Sequence, residues 1–255
     1  MVIEDAEQAE DTLADVRDEV ERASRNYYHT PQQAGIDNRI KRLIIERCEP
    51  FIKGPKVLEL GYIDGIWTDV LLQHHGCVVD IVEGASRHVE HAGHRYAGNP
   101  AVRIFHKLFQ EFEPDEQYDT VLAADMLSCL TDAALFLRRA SGWLKPDGHL
   151  IATVPNSRSL HRRVGALMNI EATPTEINEL YRQVGNRGSY DRYELRHLLL
   201  ESGLRIKTLH GCFLKPLTSS QMEAWSDELL RAFAEVGDEM EDYCYYMYAV
   251  CQKQG

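Results

Sequence analysis

The chain has 255 residues, of which 44% are hydrophobic and 27% charged, and its 40 acidic against 28 basic side chains leave a formal net charge of −12. That length suits one α/β domain with an elaboration or small cap, and the acidic balance argues against a nucleic-acid backbone or an anionic membrane as the main partner. The first residues are acidic, unlike a signal peptide, and no apolar run reaches the ~18 residues of a membrane span, so a cytoplasmic protein is expected.

Ala9, Leu13, Val16, Val20 and Ala23 recur at steps of three and four and predict a first amphipathic helix. The stretch from Asn26 to Pro31 breaks it, a second helix is predicted over about Ile36 to Cys48, and Pro50 with Gly54-Pro55 punctuates the entry to the central domain. Strands are then predicted at Val57–Leu60, Val78–Val82, Val102–Phe105, Asp119–Ala123 and His149–Val154, with helices near Thr68–His74, Ala85–Tyr96 and Ala133–Leu144 between them. Such alternation indicates a mostly parallel, doubly wound sheet, and Lys145-Pro146-Asp147-Gly148 reads as a turn before the fifth strand. Residues 156–189 read as a largely helical insertion in which Thr173, Pro174 and Glu176 resemble a capping box; Asp191 with Glu194 opens a helix that ends at Gly203. Arg205–Leu209 is the next strand, Ser220 and Glu223 open one further helix through Phe233, and the aromatic run from Cys244 to Gln252 is the last strand. The organisation expected is an N-terminal helical lid over residues 1–50 and a main domain over 51–255 carrying a cap at 156–189. Cys48, Cys77, Cys129, Cys212, Cys244 and Cys251 show no finger or CxxC spacing, so free buried thiols and no metal are expected.

The stretch KVLELGYIDGIW, Lys56 to Trp67, places a glycine turn between a strand and a helix, and VVDIVEG puts an acidic residue at the end of the next strand. Glycine lets backbone approach a ligand, and the helix after it aims amide donors toward the same place. Glu59 and Asp64 beside a pyrophosphate would cost Coulomb energy in a partly dry cleft, which disfavours a dinucleotide and suits a cationic nucleoside. A carboxylate at Glu83 can accept both hydroxyls of a ribose; Asp80, the rival, should lie deeper in the sheet.

With these features the chain resembles the class I S-adenosylmethionine-dependent methyltransferases, whose first motif is an acidic residue, a hydrophobic residue and a G-x-G-x-G loop. Here it reads Glu59-Leu60-Gly61-Tyr62-Ile63-Asp64-Gly65, so Ile63 stands at the middle glycine. The resemblance implies a Rossmann-like sheet of seven strands, S-adenosylmethionine as methyl donor and S-adenosylhomocysteine as product. It assigns Glu59, Gly61, Tyr62, Asp64 and Gly65 to the methionine portion, Glu83 to the ribose, Leu108 and Phe109 to the adenine, and Asp125 and Met126 to the place where donor and acceptor meet. Many relatives carry a Glu-His pair where Ser128 and Cys129 stand here, which removes the simplest argument for metal-assisted attack.

For the acceptor, His161 and His29 are candidate bases, with Tyr28 and Tyr27 as orienting groups after the first helix. His161 and Arg158, followed by Arg162 and Arg163, come immediately after the fifth strand, and Tyr190 stands where many relatives have a histidine and a tyrosine. With no base fixed by spacing, the reading leans slightly to an amine acceptor such as an amino sugar or related specialised metabolite, over a hydroxyl. Methylation of a protein or peptide, and a noncatalytic nucleoside-binding role, are the alternatives. A monomer or homodimer acting on a small molecule is expected.

Overall fold

Short apolar runs too brief for helices become the strands of a single sheet in the computed structural model, which describes residues 12–26, 31–73, 75–170, 173–177 and 179–254. Strands β1 (Lys56–Leu60), β2 (Val78–Glu83), β3 (Val102–His106), β4 (Tyr118–Ala124), β5 (Leu144–Pro155), β6 (Leu204–Cys212) and β7 (Tyr246–Lys253) lie in the order β3-β2-β1-β4-β5-β7-β6. The first five run parallel, and β7 is antiparallel to both β5 and β6. This is the mostly parallel, seven-stranded Rossmann-like sheet expected. The chain leaves β1 for β2 on one side, and β4 lies on the other, so a crevice opens at the carboxyl ends of β1 and β4, where open α/β sheets hold ligands.

Ten helices flank the sheet among the described residues: α1 (Leu13–Asn26), α2 (Pro31–Cys48), α3 (Ile66–Gln73), α4 (Ser86–Arg95), α5 (Ala133–Ser141), α6 (Leu160–Leu167), α7 (Glu179–Gln183), α8 (Arg192–Glu201), α9 (Ser219–Met222) and α10 (Asp227–Glu239). Alternate strand residues point to opposite faces, so Val57, Val79 and Ile81 pack with Ile40 and Ile44 of α2 and Val70 and Leu71 of α3. Leu58, Leu60 and Val82 meet Phe136 and Leu137 of α5 and Leu195 and Leu199 of α8 on the other face. Burial on both faces explains why these strands read as continuous apolar runs. No helix among the described residues is long and apolar enough to cross a membrane. The six cysteines are free thiols, five of them buried.

Four departures from the sequence-based expectation have local causes. Lys145 to Gly148 form a bulge within β5, opposite Asp119, because Tyr118 pairs with Leu144 and Thr120 with His149; the bulge is held by Lys145 Nζ on Asp119 at 2.8 Å. Thr173 to Glu176 make a turn closed by the Glu176 amide on the Thr173 carbonyl at 3.2 Å, with no helix begun there. Among its described residues the insertion is therefore helical only in α6 and α7. The helix expected after Ser220 is two, α9 opened by Thr218 and Gln221 and α10 opened by Ser226, whose hydroxyl accepts from the Leu229 amide. By contrast, Asp191 and Glu194 form the reciprocal capping box expected of α8.

Candidate active site

The turn after β1 is shaped by residues that tolerate a left-handed backbone. Gly61 has φ 85° and Gly65 φ 77°; a Cβ on Gly65 would lie 2.7 Å from the Tyr62 hydroxyl, so a side chain there collides with a buried ring. Ile63, between them, also sits at φ 51°. For a β-branched residue this is a strained conformation, costing about 1–2 kcal/mol. Ile63→Gly is accordingly expected to raise thermal stability by about 1 kcal/mol net, roughly 2–4 °C in Tm. A lower Tm in a melting experiment would mean that packing of the isoleucine outweighs its strain.

The amide of Gly61 donates to the Val82 carbonyl at 2.9 Å and ties this turn to the end of β2. There Glu83 is buried and accepts from the Tyr62 amide at 2.9 Å on Oε2 and the Ala85 amide at 2.8 Å on Oε1, with His88 Nδ1 3.5 Å from Oε2. Burial alone would push its pKa up, but His88 and the two amides outweigh it and hold the carboxyl below the usual range. Glu59 is the opposite case. It is buried with one hydrogen bond, accepted from the Thr68 hydroxyl at 2.6 Å, and burial pushes its pKa up to about 8.

A cavity of about 1020 Å³, counting its open mouth, lies over these strand ends. Its walls are Val16, Glu19, Val20 and Ala23 of α1, Gly61 and Ile63 of the turn, Glu83, Leu108 and Phe109, Asp125 and Met126 after β4, and Val184 to Arg187 of the insertion. Helix α1 is fastened across it: Arg17 pairs with Glu111 at 2.7 Å, Glu21 accepts from the Ser86 hydroxyl and amide, and Glu19 pairs with Arg187.

Six of the sequence-predicted residues therefore meet around one space: Gly61, Glu83, Leu108, Phe109, Asp125 and Met126. Glu59 and Gly65 are not among its lining residues, and the Tyr62 ring packs against Tyr96 and His91. Asp64 faces α2, where its Oδ2 meets Lys41 Nζ at 2.9 Å, while its Oδ1 accepts from the Ile66 amide. His161 stacks edge-on against Tyr245 at 5.1 Å and meets Ser159 Oγ at 3.1 Å; burial, then the charges of Lys215 and Arg162, push its pKa down to about 3. Arg158 pairs with Asp191 at 3.8 Å, and Tyr190 bridges Asn156 and reaches the Leu127 carbonyl. Tyr27, Tyr28 and His29 lie outside the described residues.

Lys41 and Tyr246 were not singled out from the sequence. Lys41 stands among Arg39 and Arg42 on a helix with several basic residues, and Tyr246 is one of three tyrosines in an aromatic run; neither pattern marks which side chain reaches Asp64 or Asp125. Among the described residues no group of three or more His, Cys, Asp or Glu is placed to hold a metal ion.

A family profile described as a methyltransferase domain matches residues 32–209. The ubiquinone biosynthesis O-methyltransferase of Bradyrhizobium sp. (strain ORS 278) is 26% identical over 105 residues, 41% of this chain and 42% of that protein. Its counterpart in Acinetobacter baylyi (strain ATCC 33305 / BD413 / ADP1) is 26% identical over 173 residues, 66% and 70% of the two chains. The chain thus spans about two fifths of the length of the first of these curated relatives. Among solved structures, the CcbJ methyltransferase from Streptomyces caelestis superposes with a TM-score of 0.59 at 17% identity, covering 93% of this chain and 98% of that one, a likeness of fold.

Proposed function

The chain belongs to the methyltransferase domain family, and from that premise we propose that it methylates a hydroxyl group of a small polar molecule, with S-adenosylmethionine as donor. One observation carries the donor: a buried carboxylate, Glu83, fixed by two backbone amides on a cavity that Leu108 and Phe109 also line. A carboxylate offers about four acceptor positions, so capacity remains on Glu83 for ribose hydroxyls, and apolar and aromatic side chains suit the flat face of a purine. The carboxylates on these walls, Glu19 and Asp125 among them, disfavour a pyrophosphate there. The residues present fit S-adenosylmethionine.

Glu83 would hold the ribose, Leu108 and Phe109 the adenine, and the Gly61 turn the methionine portion, backed by Glu59 and Asp64. When bound, the donor supplies a methyl group on a positively charged sulfur. The protein's part is to position the acceptor in line with that methyl and to keep water out. Helix α1 would act as a lid for this purpose and residues 156–189 as the cap over the acceptor.

The choice of hydroxyl over amine reverses the slight preference drawn from the sequence. That preference rested on the lack of an obvious base, whereas both curated relatives compared above carry the name O-methyltransferase. Incubation with isotopically labelled donor and a panel of catechol, phenol, hexose and aminohexose acceptors, followed by mass analysis, tests it. A labelled methyl ether is expected. Label found only on amine nitrogen would overturn the hydroxyl assignment, and failure of the folded protein to take up S-adenosylhomocysteine would overturn the methyltransferase assignment itself.

A further inference from the structure

We propose that Asp125 is the general base that removes the acceptor's hydroxyl proton, an inference that rests on the hydroxyl reading above. Asp125 follows β4 directly, on the rim of the crevice, and lines the same cavity as Glu83 and Met126. Its backbone is held at φ 59°, an uncommon conformation that Asp and Asn tolerate better than most side chains. Its amide donates to the Thr153 carbonyl at 2.9 Å. Its carboxylate accepts from the Thr153 hydroxyl at 2.9 Å on Oδ1 and from the Tyr246 hydroxyl at 3.3 Å on Oδ2. The side chain is thus aimed by β5 and β7, while each oxygen keeps a lone-pair direction for a further partner. A strained backbone held by two neighbouring strands is a feature that clusters at functional sites.

The other carboxylates and the thiol on the cavity walls are poorer candidates, and His88 is engaged with Glu83 at 3.5 Å. Glu19 is paired with Arg187, Glu83 is held below the usual carboxylate range by His88 and two amides and so is the weaker base, and burial drives the Cys129 thiol up to about 12. His161 is absent from the lining, and with its pKa pushed down to about 3 it is a feeble proton acceptor at neutral pH. Asp125 is faced by Lys41 and Cys48 from α2, Asp64 from the turn, Cys129 beyond β4, Tyr245 just before β7 and Tyr246 in it. Burial raises its pKa more than Lys41 and the two hydroxyls lower it, and Asp64 adds to the rise. A carboxylate so raised is a stronger base than an exposed one, in the direction catalytic carboxylates are tuned.

In the step, a lone pair of the acceptor oxygen forms the new O–CH3 bond while the C–S bond breaks with its pair left on sulfur. The hydroxyl proton passes to the Asp125 carboxylate, which becomes the neutral acid and afterwards returns the proton to solvent. Tyr246 and Thr153 are positioning residues in this scheme, since they act through the carboxylate.

The test compares the full-length wild type, Asp125→Asn and Tyr246→Phe by calorimetry with S-adenosylhomocysteine and by turnover of the same labelled-donor panel across pH. Asn accepts the left-handed backbone, so the first variant keeps the fold, which a melting curve checks. Asp125→Asn should lose roughly 10²–10³-fold in kcat while its affinity for S-adenosylhomocysteine stays within about threefold. Tyr246→Phe removes a hydrogen bond to the charged form, so the acid limb of its kcat–pH profile should move to higher pH. If Asp125→Asn keeps its kcat, or if it loses affinity and kcat in parallel, Asp125 is not the base. A wild type that binds S-adenosylhomocysteine but methylates only amines, or no member of the panel, removes the hydroxyl reading and this proposal with it. Only the former outcomes strike Asp125 alone.

Discussion

Glu83→Ala is expected to weaken S-adenosylhomocysteine binding by at least about 100-fold, because hydrogen bonds from ribose hydroxyls to an ionised acceptor contribute about 1.5–3 kcal/mol each and two would be lost. The carboxylate is only 5% exposed and cannot be replaced by a mobile neighbour, since its oxygens are set by the Tyr62 and Ala85 amides. The same substitution orphans those amides, so Tm should fall by several degrees, but the cavity beside them admits water and the sheet should survive. Glu83→Gln separates the two effects. Its shape is retained, yet its NH2 group must face one of the amide donors, so affinity should fall while the melting point moves less. Calorimetric affinity of Glu83→Ala within about threefold of wild type would remove Glu83 from the donor site, whatever the acceptor proves to be.

The distinction between Glu83 and Asp80 was legible in the sequence, and the reason is geometric. Residues three apart on a strand point to opposite faces and differ in depth along it, so one carboxylate reaches the crevice while the other is enclosed. The same local logic makes β1, the glycine turn and the α8 capping box readable, because each is fixed by neighbours within a few positions. It breaks down where the partner is remote. Asp64 reads as a donor-site residue from its place in the loop, yet its carboxylate turns to Lys41, which belongs to a helix preceding the sheet. His161 reads as a base from its place after β5, but burial, in a site where Tyr245 from just before the last strand packs on the ring, and then the charge of Lys215 from the segment before α9 depress its basicity. The bulge of Lys145 to Gly148 is a related case. Pro and Gly in that run announce a turn, and only the register against β4 shows that the strand continues through it.

Asp80→Ala should be the most destabilising of the substitutions considered, and by a route that leaves the donor site untouched. Asp80 is fully buried, and its carboxylate accepts from Lys56 Nζ at 3.1 Å, Arg103 Nε at 2.7 Å and the Tyr118 hydroxyl at 2.9 Å. Removing it takes a buried carboxylate partner from Lys56 and Arg103 and leaves the buried Tyr118 hydroxyl without its acceptor. Breaking such a buried pair costs about 3–5 kcal/mol. The lower end applies here, because Arg103 is 43% exposed and Glu116 still faces both cations at 3.1 and 2.6 Å. For a domain of this size about 3 kcal/mol corresponds to a Tm lower by roughly 6–12 °C. The pH dependence supplies a sharper check. Burial raises the pKa of Asp80, but the hydrogen bonds from Arg103, Lys56 and Tyr118 outweigh it and hold the carboxyl below the usual range. A carboxylate depressed in the folded state contributes its stability above the unfolded value of ~3.9 and loses it as pH falls through the folded value. The gap in Tm between wild type and Asp80→Ala should therefore be full at pH 7 and shrink below about pH 4, with S-adenosylhomocysteine affinity at pH 7 equal in the two proteins. Equal melting points at pH 7 would show that water already reaches the cluster and that its charges hold little of the sheet together.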